Sequence, residues 1–190
     1  MPVGDSTVLT LIMIGGAAGT GKTSLAGALA PRLGASVVDL DDVTASLVQE
    51  YLASNPEFTE AQALSVLRDA RYALLAQAAA EQTGLTIAVA PFSRELASAQ
   101  DWSAWVRAAG RTDLQCRTLQ TTLPAEEHLR RLQERGAARD AEQITLASLP
   151  ATIVCDATLR VLVVDASAPV EQLVETMLPS LTDAPAGFGG

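Results

Sequence analysis

The sequence predicts an α/β fold in which helices cover both faces of one five-stranded parallel sheet. Five short apolar runs, rich in β-branched residues, alternate with longer helical stretches along the 190-residue chain. Strands that alternate with helices form βαβ units and hence parallel sheets. A glycine-rich turn joins the first apolar run to the first helical stretch, as expected for a ligand-binding βα connection.

Turn-forming and helix-capping residues set the limits of each element. We expect Pro31 to end or kink the first helix, because a helix interior accommodates proline poorly. The predicted elements are, in order, strand 7–14, helix 22–30, strand 36–40, helices 43–53 and 59–82, strand 85–90, helix 95–109, strand 114–121, helix 124–135, a loop at 136–140, a short helix 141–149, strand 160–164 and helix 169–181.

No internal repeat or long linker divides the chain, so residues 1–182 are predicted to form one domain. Within it, residues 43–83 are predicted to be substrate-binding helices and residues 131–145 a short lid. Residues 183–190 are rich in proline, glycine and alanine and are expected to be a flexible tail.

Charge and composition exclude several classes of function. The net charge of −9 and the pI of about 4.5 oppose binding to a phosphate backbone, so nucleic acid is not expected as a partner. The apolar run at 8–14 is too short to cross a bilayer, and no basic segment precedes it. Cys116 and Cys155 lack metal-site spacing, which favours free thiols. A cytoplasmic protein without a membrane partner is the expectation.

The segment from Gly16 to Thr23 carries the clearest chemical signal. It fits the pattern GxxxxGK[ST] in the required position, after an apolar strand and at the start of a helix. Glycines let successive backbone N–H groups point at phosphates, and the helix N-terminus adds its positive dipole. The predicted nucleotide-binding residues are Gly16, Ala17, Ala18, Gly19, Thr20, Gly21, Lys22, Thr23 and Ser24.

Within this motif, Lys22 is predicted to reach the β- and γ-phosphates and the Thr23 hydroxyl to coordinate Mg²⁺. Lys22 is the only lysine among 13 basic residues, and it stands where a compact ammonium group is required. A guanine-reading Asn-Lys-x-Asp loop therefore cannot exist in its usual form. ATP with Mg²⁺ is the expected cofactor pair.

Three acids follow the second predicted strand, at Asp39, Asp41 and Asp42. A carboxylate at this strand end can accept the proton of a substrate hydroxyl, if it lies within hydrogen-bonding reach. The alternative is that Asp39 or Asp42 caps the next helix. Which of the three acts as the base stays open at this point.

The motif at Gly16, the run Val37-Val38-Asp39-Leu40-Asp41-Asp42, the turn Ala90-Pro91-Phe92 and the segment 131–140 together resemble bacterial AAA-family ATP-binding proteins. These proteins are similar to shikimate kinase, gluconate kinase and chloramphenicol phosphotransferase. The resemblance covers residues 8–178 and implies strand order 2-3-1-4-5 and phosphoryl transfer to a small-molecule hydroxyl. It implies that Asp39 lies on the Mg²⁺ side and that Asp41 accepts the hydroxyl proton. Ala90 departs from relatives that carry an acid there.

The predicted lid contains three candidate arginines. Arg131 and Arg135 are four residues apart on one helix face, and Arg139 follows a Gly-Ala-Ala stretch. Arginine can fork onto phosphate oxygens or stack on adenine when such a loop closes. Arg135 and Arg139 are predicted to be catalytic, and Arg131 and Arg135 to bind nucleotide. The alternative is a surface helix whose arginines pair with Glu126, Glu127 and Glu134.

Substrate-side candidates are Asp41, Arg71, Tyr72, Phe92 and Arg94. His128, the only histidine, lies in a charged helix and is expected to be exposed. The favoured function is transfer of the ATP γ-phosphate to a small hydroxylated molecule. Two alternatives stay open, namely a nucleoside or nucleotide kinase in which Arg68, Arg71 and Arg94 hold the acceptor phosphate, and a regulatory module with weak ATPase activity. The sequence leaves the oligomeric state open.

Overall fold

A computed structural model describes residues 8–136 and 153–182, and a five-stranded sheet forms its centre. All strand pairs are parallel, and the order is β2-β3-β1-β4-β5, which confirms the predicted class and strand order. The strands are β1 (Leu11–Gly15), β2 (Ser36–Asp39), β3 (Thr86–Val89), β4 (Cys116–Thr122) and β5 (Val161–Asp165).

Helices connect the strands and cover both faces of the sheet. In the described residues they are α1 (Lys22–Leu33), α2 (Leu40–Ser54), α3 (Glu60–Val66), α4 (Arg68–Ala80), α5 (Ser93–Ala97), α6 (Ala99–Ala108), α7 (Ala125–Arg135) and α8 (Val170–Thr182). A 3₁₀ turn at Asp113–Gln115 leads into β4. In the same residues, every helix is too short or too polar to pass through a lipid bilayer.

The central strand β1 is buried on both faces and divides the core into two halves. Leu11 and Met13 belong to one apolar cluster, which includes side chains from α2, α4 and α6. Ile12 and Ile14 belong to the other, which includes side chains from α1 and α8. This alternation is the period-two pattern of a strand covered on both sides. The result is a three-layer α/β/α arrangement that fixes the carboxyl end of β1.

Several predicted limits differ from the observed ones. Helix α1 continues through Pro31 to Leu33, so its last turn accommodates a proline that lacks an N–H and crowds the carbonyl four residues earlier. The predicted helix 59–82 is two helices that meet at Leu67. The predicted helix 95–109 breaks at Ser98, whose extended backbone lets its hydroxyl cap α6. The predicted helix 141–149, the lid beyond Gly136 and the tail 183–190 lie outside the described residues.

Candidate active site

The turn after β1, Gly16–Gly21, contains three glycines in a backbone conformation that other residues rarely adopt. Gly16, Gly19 and Gly21 have φ angles of 142°, 75° and 84°, in the region that favours glycine. A Cβ at Gly16 would also collide with the side chain and carbonyl of Thr121 on β4. The glycine spacing in the motif therefore has a direct conformational cause. We call the segment Gly16–Thr23 the phosphate loop.

Two buried threonines hold this loop against the sheet. Thr20 Oγ1 donates to the Ala17 carbonyl at 2.8 Å and lies 2.7 Å from Thr121 Oγ1. The Thr121 hydroxyl lies 3.1 Å from the Gly15 carbonyl, to which it donates. Neither threonine is exposed to solvent. Sequence reasoning missed Thr121, although its place at the end of the strand beside β1 is the signal that could have identified it.

Lys22 and the start of α1 supply the positive charge at the loop. Lys22 Nζ donates to the Ala17 carbonyl at 2.7 Å, which holds the ammonium group over the turn. The N-cap of α1 is Gly21, which has no side chain that could cap the helix. An uncapped helix N-terminus is a favourable place for phosphate oxygens. The geometry matches the anion cradle that the motif predicts.

Thr23 and Asp39 form the polar contact between α1 and β2. Thr23 Oγ1 donates to Asp39 Oδ2 at 2.8 Å, and the other oxygen of Asp39 accepts the Asp41 N–H at 3.0 Å. Asp39 is therefore the N-cap of α2 as well as the partner of Thr23. A hydroxyl and a carboxylate are hard oxygen ligands of the kind that Mg²⁺ prefers. The two residues have the donor atoms that the predicted metal position requires, and Thr23 belongs to the phosphate loop itself.

Asp41 and Arg71 form an ion pair across 30 residues of sequence. Arg71 Nη2 lies 2.8 Å from Asp41 Oδ1, and Arg71 Nε donates to Thr44 Oγ1 at 2.9 Å. The Arg71 side chain is 8% exposed, whereas that of Asp41 is 51% exposed. The buried guanidinium is thus fixed from two sides, and the carboxylate it holds stays open to solvent. Thr44 was not singled out from the sequence.

These groups surround one cavity of about 640 Å³. The phosphate loop forms one wall, and the ends of β2 and β3 with helices α2, α3 and α4 form the opposite wall. Its lining residues include Gly19, Lys22, Thr23, Ser24, Asp39, Asp41, Leu64, Arg71, Ala90 and Arg131. Asp42 does not line it. The predicted nucleotide, metal and acceptor positions are therefore adjacent.

Two of the predicted substrate residues, Phe92 and Tyr72, do not reach this cavity. The Phe92 side chain is fully buried and packs edge-to-face on Tyr72 and Trp105, with ring centroids 5.7 and 4.9 Å apart. The Phe92 N–H donates to the Tyr72 hydroxyl at 2.9 Å. Burial raises the pKa of Tyr72 to about 12, so the hydroxyl stays protonated at neutral pH. Both aromatic side chains shape the core behind the β3 turn.

Arg94 and Arg68 also lie away from the cavity. Arg94 pairs with Asp69 at 2.9 Å, and Arg68 pairs with Glu95 at 2.9 Å. The Arg68 guanidinium also stacks 4.2 Å from the centre of the Tyr72 ring. Both arginines line a separate, smaller cavity of about 210 Å³. Of the three arginines predicted to hold an acceptor phosphate in a nucleotide kinase, only Arg71 therefore lines the main cavity.

The structure describes one of the three lid arginines in full. Arg131 lines the main cavity, and its guanidinium donates to the Ala166 carbonyl at 2.9 Å and to Glu127 at 2.7 Å. The alternative reading, a surface ion-pair helix, holds for Arg130, which pairs with Glu127 and Glu134. The Arg135 side chain and Arg139 lie outside the described part of the chain.

His128 was expected to be exposed, and this expectation was wrong. It is 5% exposed, and its Nε2 lies 2.8 Å from the Ala18 carbonyl of the phosphate loop. The available signal was its position four residues before Leu132, which places both on the apolar face of an amphipathic helix. The surrounding charges obscured that pattern.

Comparison with solved structures gives the same fold at low identity. A sugar kinase from Janibacter sp. is 21% identical, with 93% of this chain and 96% of that chain covered and a TM-score of 0.63. A gluconokinase from Sinorhizobium meliloti 1021 is 16% identical, with 91% of both chains covered and a TM-score of 0.61. Shikimate kinase from Aquifex aeolicus is 17% identical, with 90% of this chain and 96% of that chain covered and a TM-score of 0.53.

The TM-scores and coverages of these matches establish a shared fold, and they confirm the predicted likeness to small-molecule kinases at that level. No curated protein sequence matches the chain. The family model described as an AAA domain matches residues 11–167, which is more than half of the chain. The chain therefore belongs to the AAA domain family.

Proposed function

We propose that this protein is an ATP-dependent phosphotransferase that moves the γ-phosphate of ATP to a hydroxyl group of a small molecule. The main support for the proposal is that the phosphate loop, Asp41 and Arg71 all line the same cavity. Phosphoryl transfer needs positioning and charge neutralisation more than covalent chemistry. A cavity with a cationic anion cradle on one side and a fixed carboxylate on the other meets both needs.

On the nucleotide side, the phosphate-loop amides and Lys22 bind and neutralise the triphosphate. Thr23, held by Asp39, would hold Mg²⁺, and the metal would offset the negative charge of the phosphates there. Because Asp39 also caps α2, its carboxylate is fixed in place before any ligand arrives. Arg131, Arg135 and Arg139 remain the candidates for additional phosphate or adenine contacts.

On the acceptor side, Asp41 is the proposed base. The ion pair with Arg71 orients its carboxylate, which can accept the hydroxyl proton as the acceptor oxygen bonds to the γ-phosphorus atom. The bond from that phosphorus to the β–γ bridging oxygen breaks, and ADP leaves. Leu64 and Ala90 add apolar surface to the same wall. A compact acceptor that presents a hydroxyl next to an apolar face suits this lining.

The nucleotide-kinase alternative is less well supported by the charges of this wall. Binding an acceptor phosphate would require cationic groups in the cavity beyond those of the phosphate loop. Arg68 and Arg94 form ion pairs with Glu95 and Asp69 at a different cavity. Of the three arginines considered for this role, only Arg71 lines the main cavity, and its charge is balanced by Asp41. A small hydroxylated acceptor therefore fits better than a nucleotide.

A phosphorylation screen over a metabolite library with ATP and Mg²⁺ tests the proposal. We expect one or more acceptors to stimulate ADP release and to gain phosphate, with Asp41→Asn lowering the rate by about 10²–10⁴-fold. Asp69→Asn is the matched control, because this exposed acid pairs with Arg94 outside the cavity. Slow ADP release that is equal in all three proteins and unaffected by acceptors would favour the regulatory module instead.

A further inference from the structure

The buried His128 makes a polar contact that the phosphotransfer scheme does not use. Its Nε2 lies 2.8 Å from the Ala18 carbonyl oxygen, and a carbonyl can only accept, so Nε2 must carry the proton. The other ring nitrogen, Nδ1, is buried and has no hydrogen-bond partner among the residues that the structure describes. A proton there would be a buried charge without compensation. The ring is therefore expected as the tautomer with hydrogen on Nε2 only.

Packing alone does not account for an imidazole at this place. One helical turn later, Leu132 is fully buried, and it provides the nearest contact to a Cβ placed at Gly19. An aliphatic residue at 128 would fill similar space without burying an unpaired nitrogen. The Nε2–H bond to Ala18 is the feature that only the histidine provides.

That bond determines which way one peptide of the phosphate loop faces. In a trans peptide the C=O and the N–H point in opposite directions. When the Ala18 carbonyl is held toward α7, the Gly19 N–H must point away from α7, and Gly19 lines the cavity. The preceding Ala17 carbonyl is held separately, by Thr20 and Lys22.

We propose that His128 is a positioning residue for nucleotide binding, which fixes the Ala18–Gly19 peptide so that its N–H faces the phosphates. The proposal rests on the nucleotide half of the proposed function and is independent of the acceptor. It assigns α7 a role in shaping the loop from outside, in addition to the contribution of Arg131 to the cavity.

Three substitutions with MgADP as the probe separate this role from packing. The Gln side chain can place an amide N–H near the position of Nε2, whereas Asn places it near Nδ1 and Leu has none. We expect His128→Leu and His128→Asn to weaken MgADP binding by about tenfold in calorimetry, and His128→Gln to remain within about threefold of wild type. Arg130→Gln is the control on the same helix, and it should bind MgADP as wild type does.

Equal affinity in all variants, or an equal loss in the Gln and Leu variants, would overturn the proposal. Because His128 is the only histidine, one ¹⁵N-histidine spectrum of the wild-type protein reports on it alone. We expect the resonances of a ring protonated on Nε2, and a ring protonated on Nδ1 alone would contradict the bond to Ala18. This measurement tests the hydrogen bond on which the proposal depends, even if a variant fails to fold. Retained MgADP binding without acceptor phosphorylation would refute the proposed function and leave this inference in place.

Discussion

The two walls of the cavity are built in different ways. The nucleotide wall is one continuous segment, Gly16–Ser24, whose shape follows from glycine torsions and local hydrogen bonds. The acceptor wall combines residues from β2, α2, α3, α4 and β3, and its central ion pair spans 30 residues. The first wall depends mainly on local sequence, with Thr121 and His128 contacting it from other elements, and the second depends throughout on the packing of several elements. Perturbing one wall at a time should therefore separate nucleotide binding from acceptor binding.

The largest effect is expected from Lys22→Ala in the nucleotide wall. Loss of the ammonium group should weaken MgATP binding by about 100-fold and lower kcat/KM for the acceptor by about 10³-fold. The melting temperature should stay within about 2 °C of wild type, because Lys22 is only partly buried. Calorimetry and steady-state kinetics measure the two effects. Unchanged nucleotide affinity would contradict the role assigned to the motif.

Gly16→Ala tests the backbone of the same wall without a change of charge. The methyl group would meet Thr121 and Thr20 closer than van der Waals contact allows, and φ at this position is 142°. We expect about a tenfold or greater loss of MgADP affinity and about 2–4 kcal/mol lower stability in denaturant unfolding. Gly27→Ala is the matched control, because a Cβ there has open space within α1 and should stabilise the protein by about 0.5–1 kcal/mol. An equal response of both variants would argue against a strained loop.

The same contrast explains how much of the site the sequence could predict. The alternation of strands and helices and the phosphate loop follow from local patterns, whereas the strand order and the Mg²⁺-side place of Asp39 were implied only by the resemblance to a known family. The ion pair of Asp41 with Arg71 depends on how α4 packs against α2, and the hydrophobic periodicity of the sequence does not indicate which helices pack together. Arg94 and Phe92 follow a strand end, as ligand-binding residues often do, yet the left-handed backbone of Phe92 places its ring in the core. The role of His128 could not be predicted, because its bond to Ala18 depends on the tertiary contact between α7 and the phosphate loop.

Arg71→Met tests the acceptor wall. The change removes the partner of Asp41 and leaves the buried Thr44 hydroxyl without its arginine contact. We expect the acceptor KM to rise by about tenfold and stability to fall by about 1–2 kcal/mol, a modest value because Asp41 is half exposed. Affinity for MgADP should not change. Arg94→Met is the control, and a loss of MgADP affinity confined to Arg71→Met would show that the two walls are not separable.

The smallest effect concerns Glu127, which orients Arg131 at the edge of the cavity. Hydrogen bonds from Arg130 and Arg131 lower the pKa of Glu127 to about 2 from the ordinary 4.5. Since the folded protein binds fewer protons than the unfolded chain between these values, the stabilisation is complete above about pH 5 and is lost as the pH falls toward 2. Glu127→Gln should therefore lower the melting temperature slightly at neutral pH, and the difference should shrink as the pH falls from 4.5 toward 2. Glu126→Gln, an equal charge change on the exposed neighbour, should show no such trend. A difference that persists down to pH 2 would mean that packing of the side chain, and not its charge, holds Arg131 in place.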